Sequence, residues 1–83
     1  MKITLIPDDL IKGIQCDSTS CPVALAAQRA FPESKICVEL DTIEIDGLLY
    51  NLPGEVERWI ADFDDGKHAD LEPIQFMIEG GYK

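Results

Sequence analysis

Basic residues are scarce in this chain, with 7 Lys and Arg against 16 Asp and Glu, a formal balance of −9. That shortage argues against direct binding to a nucleic-acid backbone, whose affinity comes from cationic side chains displacing counterions. One histidine and 3 cysteines leave few groups for base or nucleophile chemistry, and an odd thiol count argues against a closed disulfide framework. No apolar run approaches the roughly 20 residues that cross a bilayer. The N-terminus also lacks a basic-then-apolar signal pattern. We therefore expect a soluble intracellular protein, with no membrane partner and with its thiols reduced. No Ser/Gly-rich, Gln-rich or repeated block points to disorder or to a solenoid.

What is present suits one small folded domain spanning residues 1–83. The apolar fraction is 46%, yet a core of this size yields only a few kcal/mol of net stability, so every large apolar side chain counts. Only Gly80-Gly81-Tyr82-Lys83 reads as a flexible tail.

Met1 to Ile6 alternates and predicts a strand burying Ile3 and Leu5. Pro7 ends it, and Asp8-Asp9 before Leu10-Ile11-Lys12 and Gly13 predicts a single helical turn with an acidic start. Pro22 has no amide hydrogen and suits the first position of a helix, which makes Cys21 the N-cap, with Ser20 competing. Val23, Ala26, Ala27 and Ala30 then share a face, broadened by Leu25 and Phe31, and Pro32 stops the helix near Phe31. Lys35 to Asp41 is a strand with Ile36, Val38 and Leu40 on one side. Ile43 and Ile45 have the opposite parity, so a turn or bulge near Asp41-Thr42 must shift the phase. Asp46-Gly47 predicts a type I′ turn between Thr42–Ile45 and Leu48–Leu52. Pro53-Gly54-Glu55 opens a second long helix with Val56, Trp59, Ile60 and Phe63 on its buried face, and Gly66 closes it. Pro73 to Ile78 is a last strand. The order β, short helix, α, β, β, β, α, β predicts an α+β domain, a mostly antiparallel sheet with two helices packed on it.

The Cys-Pro-Val-Ala-Leu-Ala run at 21–26, the Leu-Pro-x-x-Val-x-x-Trp-Ile-x-x-Phe-Asp run at 52–64 and the Pro-Ile-Gln-Phe-x-Ile finish at 73–78 resemble a group of small proteins of bacterial viruses and prophages. The resemblance implies a phage accessory protein in a bacterial cytoplasm. Some small acidic phage products, anti-CRISPR proteins and other nucleic-acid mimics among them, neutralise host defences. The resemblance carries over no catalytic residue.

Cys21, at a helix start, is the thiol that the helix dipole would most acidify. No base lies near it in sequence, since His68 belongs to a separate loop, and nucleophilic catalysis needs one within reach. We therefore expect no enzyme. Cys16, Cys21, Cys37 and His68 could complete a Cys₃His zinc tetrahedron, but the tight Cys-x2-Cys knuckle of structural zinc sites is missing. The expectation is no metal and no cofactor, with a thiol or zinc protein as the alternative. Asp62-Phe63-Asp64-Asp65-Gly66 resembles a calcium loop, but its glycine falls one place early and Pro73 stands where the bidentate Glu belongs.

The acidic residues are the better lead. Glu39 and Asp41 face outward from one strand and Glu44 and Asp46 from the next, where same-face neighbours lie about 6.8 Å apart. Asp62, Asp64, Asp65, Asp70 and Glu72 follow at the helix end and loop. Together these nine predict a negative surface for a basic site on a host protein, mimicking nucleic acid. A solvated outer face is the plainer reading of the same pattern. Leu49, Tyr50 and Tyr82 are apolar side chains that suit a homodimer or a hydrophobic anchor inside the acidic rim, and a structural homo-oligomer is the remaining alternative function.

Overall fold

The computed structural model describes residues 2–39, 41–67 and 71–82, the last three by backbone only. Its elements run β1 (Lys2–Thr4), α1 (Pro7–Lys12), α2 (Pro22–Ala30), β2 (Ile36–Val38), β3 (Thr42–Ile45), β4 (Leu48–Asn51), α3 (Gly54–Asp64), β5 (Gln75–Met77) and β6 (Glu79–Tyr82). The α+β class expected from the sequence is the class observed. The strands, however, divide into two antiparallel sheets, a β1–β5 pair and a four-stranded sheet in the order β2-β3-β4-β6. The chain passes from one to the other at Ile78.

Local rules account for most boundaries. Cys21 is the N-cap of α2, its sulfur accepting the Ala24 amide at 3.4 Å, and Pro22 is the first helical residue. Asp46 and Gly47 have φ of 52° and 84°, as a type I′ turn requires, and Ile45 pairs with Leu48 across it. The change of phase after β2 is a turn rather than a bulge. The Glu39 amide reaches the Thr42 carbonyl at 2.8 Å, so Val38 faces Ile43 and Ile36 faces Ile45. All four apolar side chains then lie on one side of the sheet. β2 is shorter than the predicted Lys35–Asp41 span, and Leu40 lies outside the described residues.

Gly80-Gly81-Tyr82, expected as a tail, forms strand β6 with Glu79 and pairs with β4, Asn51 opposite Glu79 and Leu49 opposite Tyr82. Two glycines weaken strand propensity locally, which hid the pairing from the sequence. Lys83 lies outside the described residues. α2 touches β1 in one sheet, β2 in the other and α1 beside it. Its face of Val23, Ala24, Ala26 and Ala27, each at most 2% exposed, is small enough for backbones to approach closely. Val56, Trp59, Ile60 and Phe63 of α3 are also buried, as their spacing predicts.

Gly13 follows α1 with an ordinary φ of −66°, so its left-handed freedom is unused. A Cβ there would stand 2.5 Å from Pro22 Cγ and 2.6 Å from the Asp9 carbonyl oxygen. Gly13→Ala should therefore lose about 1–3 kcal/mol in urea unfolding, through overpacking. An uncrowded glycine of this φ would instead gain about 0.4–1 kcal/mol from the same change, so the sign of the shift decides.

Candidate functional site

The polar loop between α1 and α2 is stitched to two distant elements. Gln15 Nε2 donates to the Phe63 and Asp64 carbonyls at 3.0 and 3.3 Å, satisfying the end of α3. The Cys16 amide donates to Asp64 Oδ1 at 2.9 Å, and Cys16 takes a left-handed φ of 57° to do so. Asp17 Oδ1 accepts the Thr19 amide, the Thr19 hydroxyl and the Ser20 amide at 2.9–3.0 Å, an Asx turn that feeds the chain into Cys21. On the other side the Ser18 carbonyl takes the Val38 amide at 2.7 Å, covering part of the outer edge of β2.

These contacts enclose a surface hollow of about 180 Å³. Val38 and Ile60 form its apolar wall, the carboxylates of Asp17, Glu39 and Asp64 its charge, and Cys16 and Cys21 its thiols. Hydrogen bonds from the Thr19 amide and hydroxyl hold Asp17 below the usual carboxylate range, so it is anionic at neutral pH.

The nine predicted acidic residues have separate fates. Glu39 and Asp64 meet at the hollow. Glu44 is exposed on the outer face of β3, between Cys37 and Leu49, and Asp41 is exposed in the adjoining turn. Asp46 is drawn back into its own hairpin. Its Oδ1 accepts the Lys35 amide at 2.9 Å, and that bond, with one from the Ser34 hydroxyl, lowers its pKa. Asp62 pairs with Lys67 at 3.7 Å. Asp65 caps α3 in solvent, and Glu72 offers its carbonyl to Trp59 Nε1 at 3.0 Å. Asp70 lies outside the described residues. The patch is thus Glu39, Asp41, Glu44 and Asp64, joined by Asp17. The sequence signal for Asp17 was its place at the head of the Asp-Ser-Thr-Ser run before Cys21-Pro22.

No protein-family model, curated protein or solved structure matches this chain.

Among the described residues the three cysteines are not gathered into a set of metal ligands. Cys16, Cys21 and Cys37 are free thiols, exposed, buried and half-buried respectively. Among the described residues no three His, Cys, Asp or Glu side chains are placed to hold a metal ion, and His68 lies outside them. Nor is Cys21 the reactive thiol its helix-start position suggested. Burial pushes its pKa up, outweighing the Ala24 and Val23 amides, and the charges of Asp64 and Asp17 push the same way. Cys37 Sγ donates to Glu39 Oε1 at 3.8 Å. Tyr50 packs against the core, whereas Leu49 is 37% exposed. No described helix is long and apolar enough to cross a membrane.

Proposed function

We propose that this chain is a small phage-type interaction protein, not an enzyme, that works in the bacterial cytoplasm. It binds a basic site on a host protein, a CRISPR-Cas-like defence complex or another nucleic-acid-handling machine, and blocks that site by charge mimicry. One observation carries the reading. The three ion pairs among the described residues are Asp8–Lys12, Asp9–Arg29 and Asp62–Lys67. Glu39, Asp41, Glu44 and Asp64 take no described cation, although they lie around one hollow and the turn and strand beside it. Clustered like charges cost stability unless something neutralises them, and an external cationic surface is what the cluster lacks.

The test is capture of a partner from bacterial lysate by the immobilised chain, followed by affinity measurement with that partner purified. Between about 0.1 M and about 1 M salt the screening length falls from about 10 to about 3 Å, and binding should weaken by at least about tenfold. The triple variant Glu39→Lys, Asp41→Lys, Glu44→Lys changes only exposed side chains and should weaken binding as much, with its circular dichroism unchanged. A partner held equally tightly at both salt levels rules out charge mimicry.

A further inference from the structure

We infer that the outer edge of β5, with the groove beside it, receives an extended basic segment of a partner protein as an added strand. This rests on the charge reading above and gives it a second point of contact. In the β1–β5 pair the Leu5 amide donates to the Ile74 carbonyl at 2.8 Å. Antiparallel alternation then makes Ile3–Phe76 the next bonded pair and turns the backbone groups of the Lys2–Met77 and Thr4–Gln75 pairs outward. On the β1 side, the outward Thr4 carbonyl is taken by Arg29 Nη2 at 2.8 Å. On the β5 side, no described residue takes the outward amides and carbonyls of Gln75 and Met77.

Among the described residues the edge is open because two paired chains separate there. β4 and β6 stay paired as far as Asn51 and Glu79. Beyond them Leu52 continues the β3–β4 ladder, its amide donating to the Asp41 carbonyl at 3.0 Å, and Pro53, the next residue whose backbone would face the β6 side, has no amide to offer and leads into α3. The fork leaves a groove of about 630 Å³, with Leu52, Pro53, Phe76 and Met77 as its apolar lining and Glu55 and Glu79 as its carboxylates. A second hollow, of about 170 Å³, adjoins Gln75 of the same strand and Ile74 just before it, and shares Glu55 with the first. Met77 is 56% exposed. The Gln75-Phe76-Met77 edge carries none of the lysines or prolines that ordinarily blunt an exposed strand.

Backbone groups with no described partner, apolar lining and carboxylates together suit strand addition, main-chain bonds supplying affinity and side-chain pockets supplying selectivity. Charge decides the occupant. A second copy would bring another −9 to carboxylates that no described cation neutralises, whereas a segment alternating β-branched apolar residues with Lys or Arg complements both the lining and Glu55 and Glu79.

The probe is a short acetylated, amidated peptide alternating lysine and valine, titrated into the ¹⁵N-labelled full chain. Amide shifts should centre on Gln75, Met77, Glu55 and Glu79. A peptide of the same charge, N-methylated at alternate residues, should bind at least about tenfold more weakly because it cannot complete the ladder. The Glu55→Lys, Glu79→Lys variant, with its spectral dispersion retained, should lose at least about tenfold as well. Shifts gathered at Glu39 and Asp64 and indifferent to N-methylation would overturn the strand-addition site while leaving the charge reading intact. Absence of any shift overturns it too, with the charge reading then judged by the salt series and the Glu39, Asp41 and Glu44 variant. Shifts at Gln75 and Met77 that follow protein concentration without peptide would assign the edge to a second copy and overturn the basic occupant.

Discussion

Arg29→Ala is expected to lose about 2–4 kcal/mol in urea unfolding at neutral pH, a large share of the net stability of a chain this small. Asp9, 3% exposed, is the buried charged residue among those described. Its two carboxylate oxygens accept Arg29 Nη1 and Nη2, each at 2.9 Å, and Oδ2 also accepts the Ile6 amide at 2.9 Å. Arg29 Nη2 donates further to Thr4, so one guanidinium ties α2 to both β1 and α1. Its removal leaves a buried carboxylate with a single amide. The loss stays short of the full cost of breaking a wholly buried pair, because the Arg29 side chain is 44% exposed and partly screened. Asp9→Asn in the Arg29→Ala background should recover part of the loss, since no charge then remains to be neutralised. An Arg29→Ala chain as stable as the native one would show that the pair contributes nothing.

The same pair sets an acid limit. Burial works to raise the Asp9 pKa, but the Arg29 hydrogen bonds, the Ile6 amide and the Arg29 charge outweigh it and hold the group below its ordinary 3.8. A carboxyl depressed in the folded state binds fewer protons there than in the unfolded chain. Its contribution is therefore complete above the ordinary value and is lost as pH falls through the lowered one. The native chain should lose stability below about pH 4 more steeply than Asp9→Asn. The deficit of Arg29→Ala relative to native should narrow over the same range.

What was legible in the sequence was local. Cys21-Pro22, Asp46-Gly47 and the Val56, Trp59, Ile60, Phe63 spacing each specify a backbone conformation or a face within a few residues, and each element formed where its residues placed it. What was not legible depends on partners far along the chain. Asp9 and Arg29 are 20 residues apart, and Cys16 and Asp64 are 48 apart, so neither the buried pair nor the hollow leaves a periodic trace. Gly13 follows the periodic run as a helix stop would, but the closest restriction on it comes from Pro22, on another element. The division into two sheets follows from the departure of Pro53 from the ladder and the pairing of a Gly-Gly strand with β4, neither of which alternation can signal. Of the acidic row, exposure was legible for Glu39, Asp41 and Glu44. The engagement of Asp46 with Lys35 and of Asp62 with Lys67 depended on turn geometry.

Phe63→Ala should be more damaging still, at about 3–5 kcal/mol, the usual cost of removing a buried phenyl ring and leaving a cavity. Phe63 is 1% exposed and is among the largest fully buried side chains. Its ring stacks on Trp59 with centroids 5.8 Å apart and planes within 5°. On the backbone side its carbonyl accepts Gln15 Nε2 and the Gly66 amide, the latter at 3.0 Å. The residue therefore anchors the last turn of α3 to the core at the point where that turn holds the loop carrying Cys16 and Asp17. Trp59 is the only tryptophan, so its emission reports directly on the loss of the stack, alongside the urea midpoint. Phe63→Leu should lose less, because leucine fills much of the same volume. If alanine costs no more than leucine, the core closes over the vacated space, and the end of α3 is held by the Gln15 and Asp64 hydrogen bonds rather than by this ring. If alanine costs several kcal/mol more, packing beneath α3 sets the position of Asp64, and the acidic hollow depends on a residue that no partner can touch.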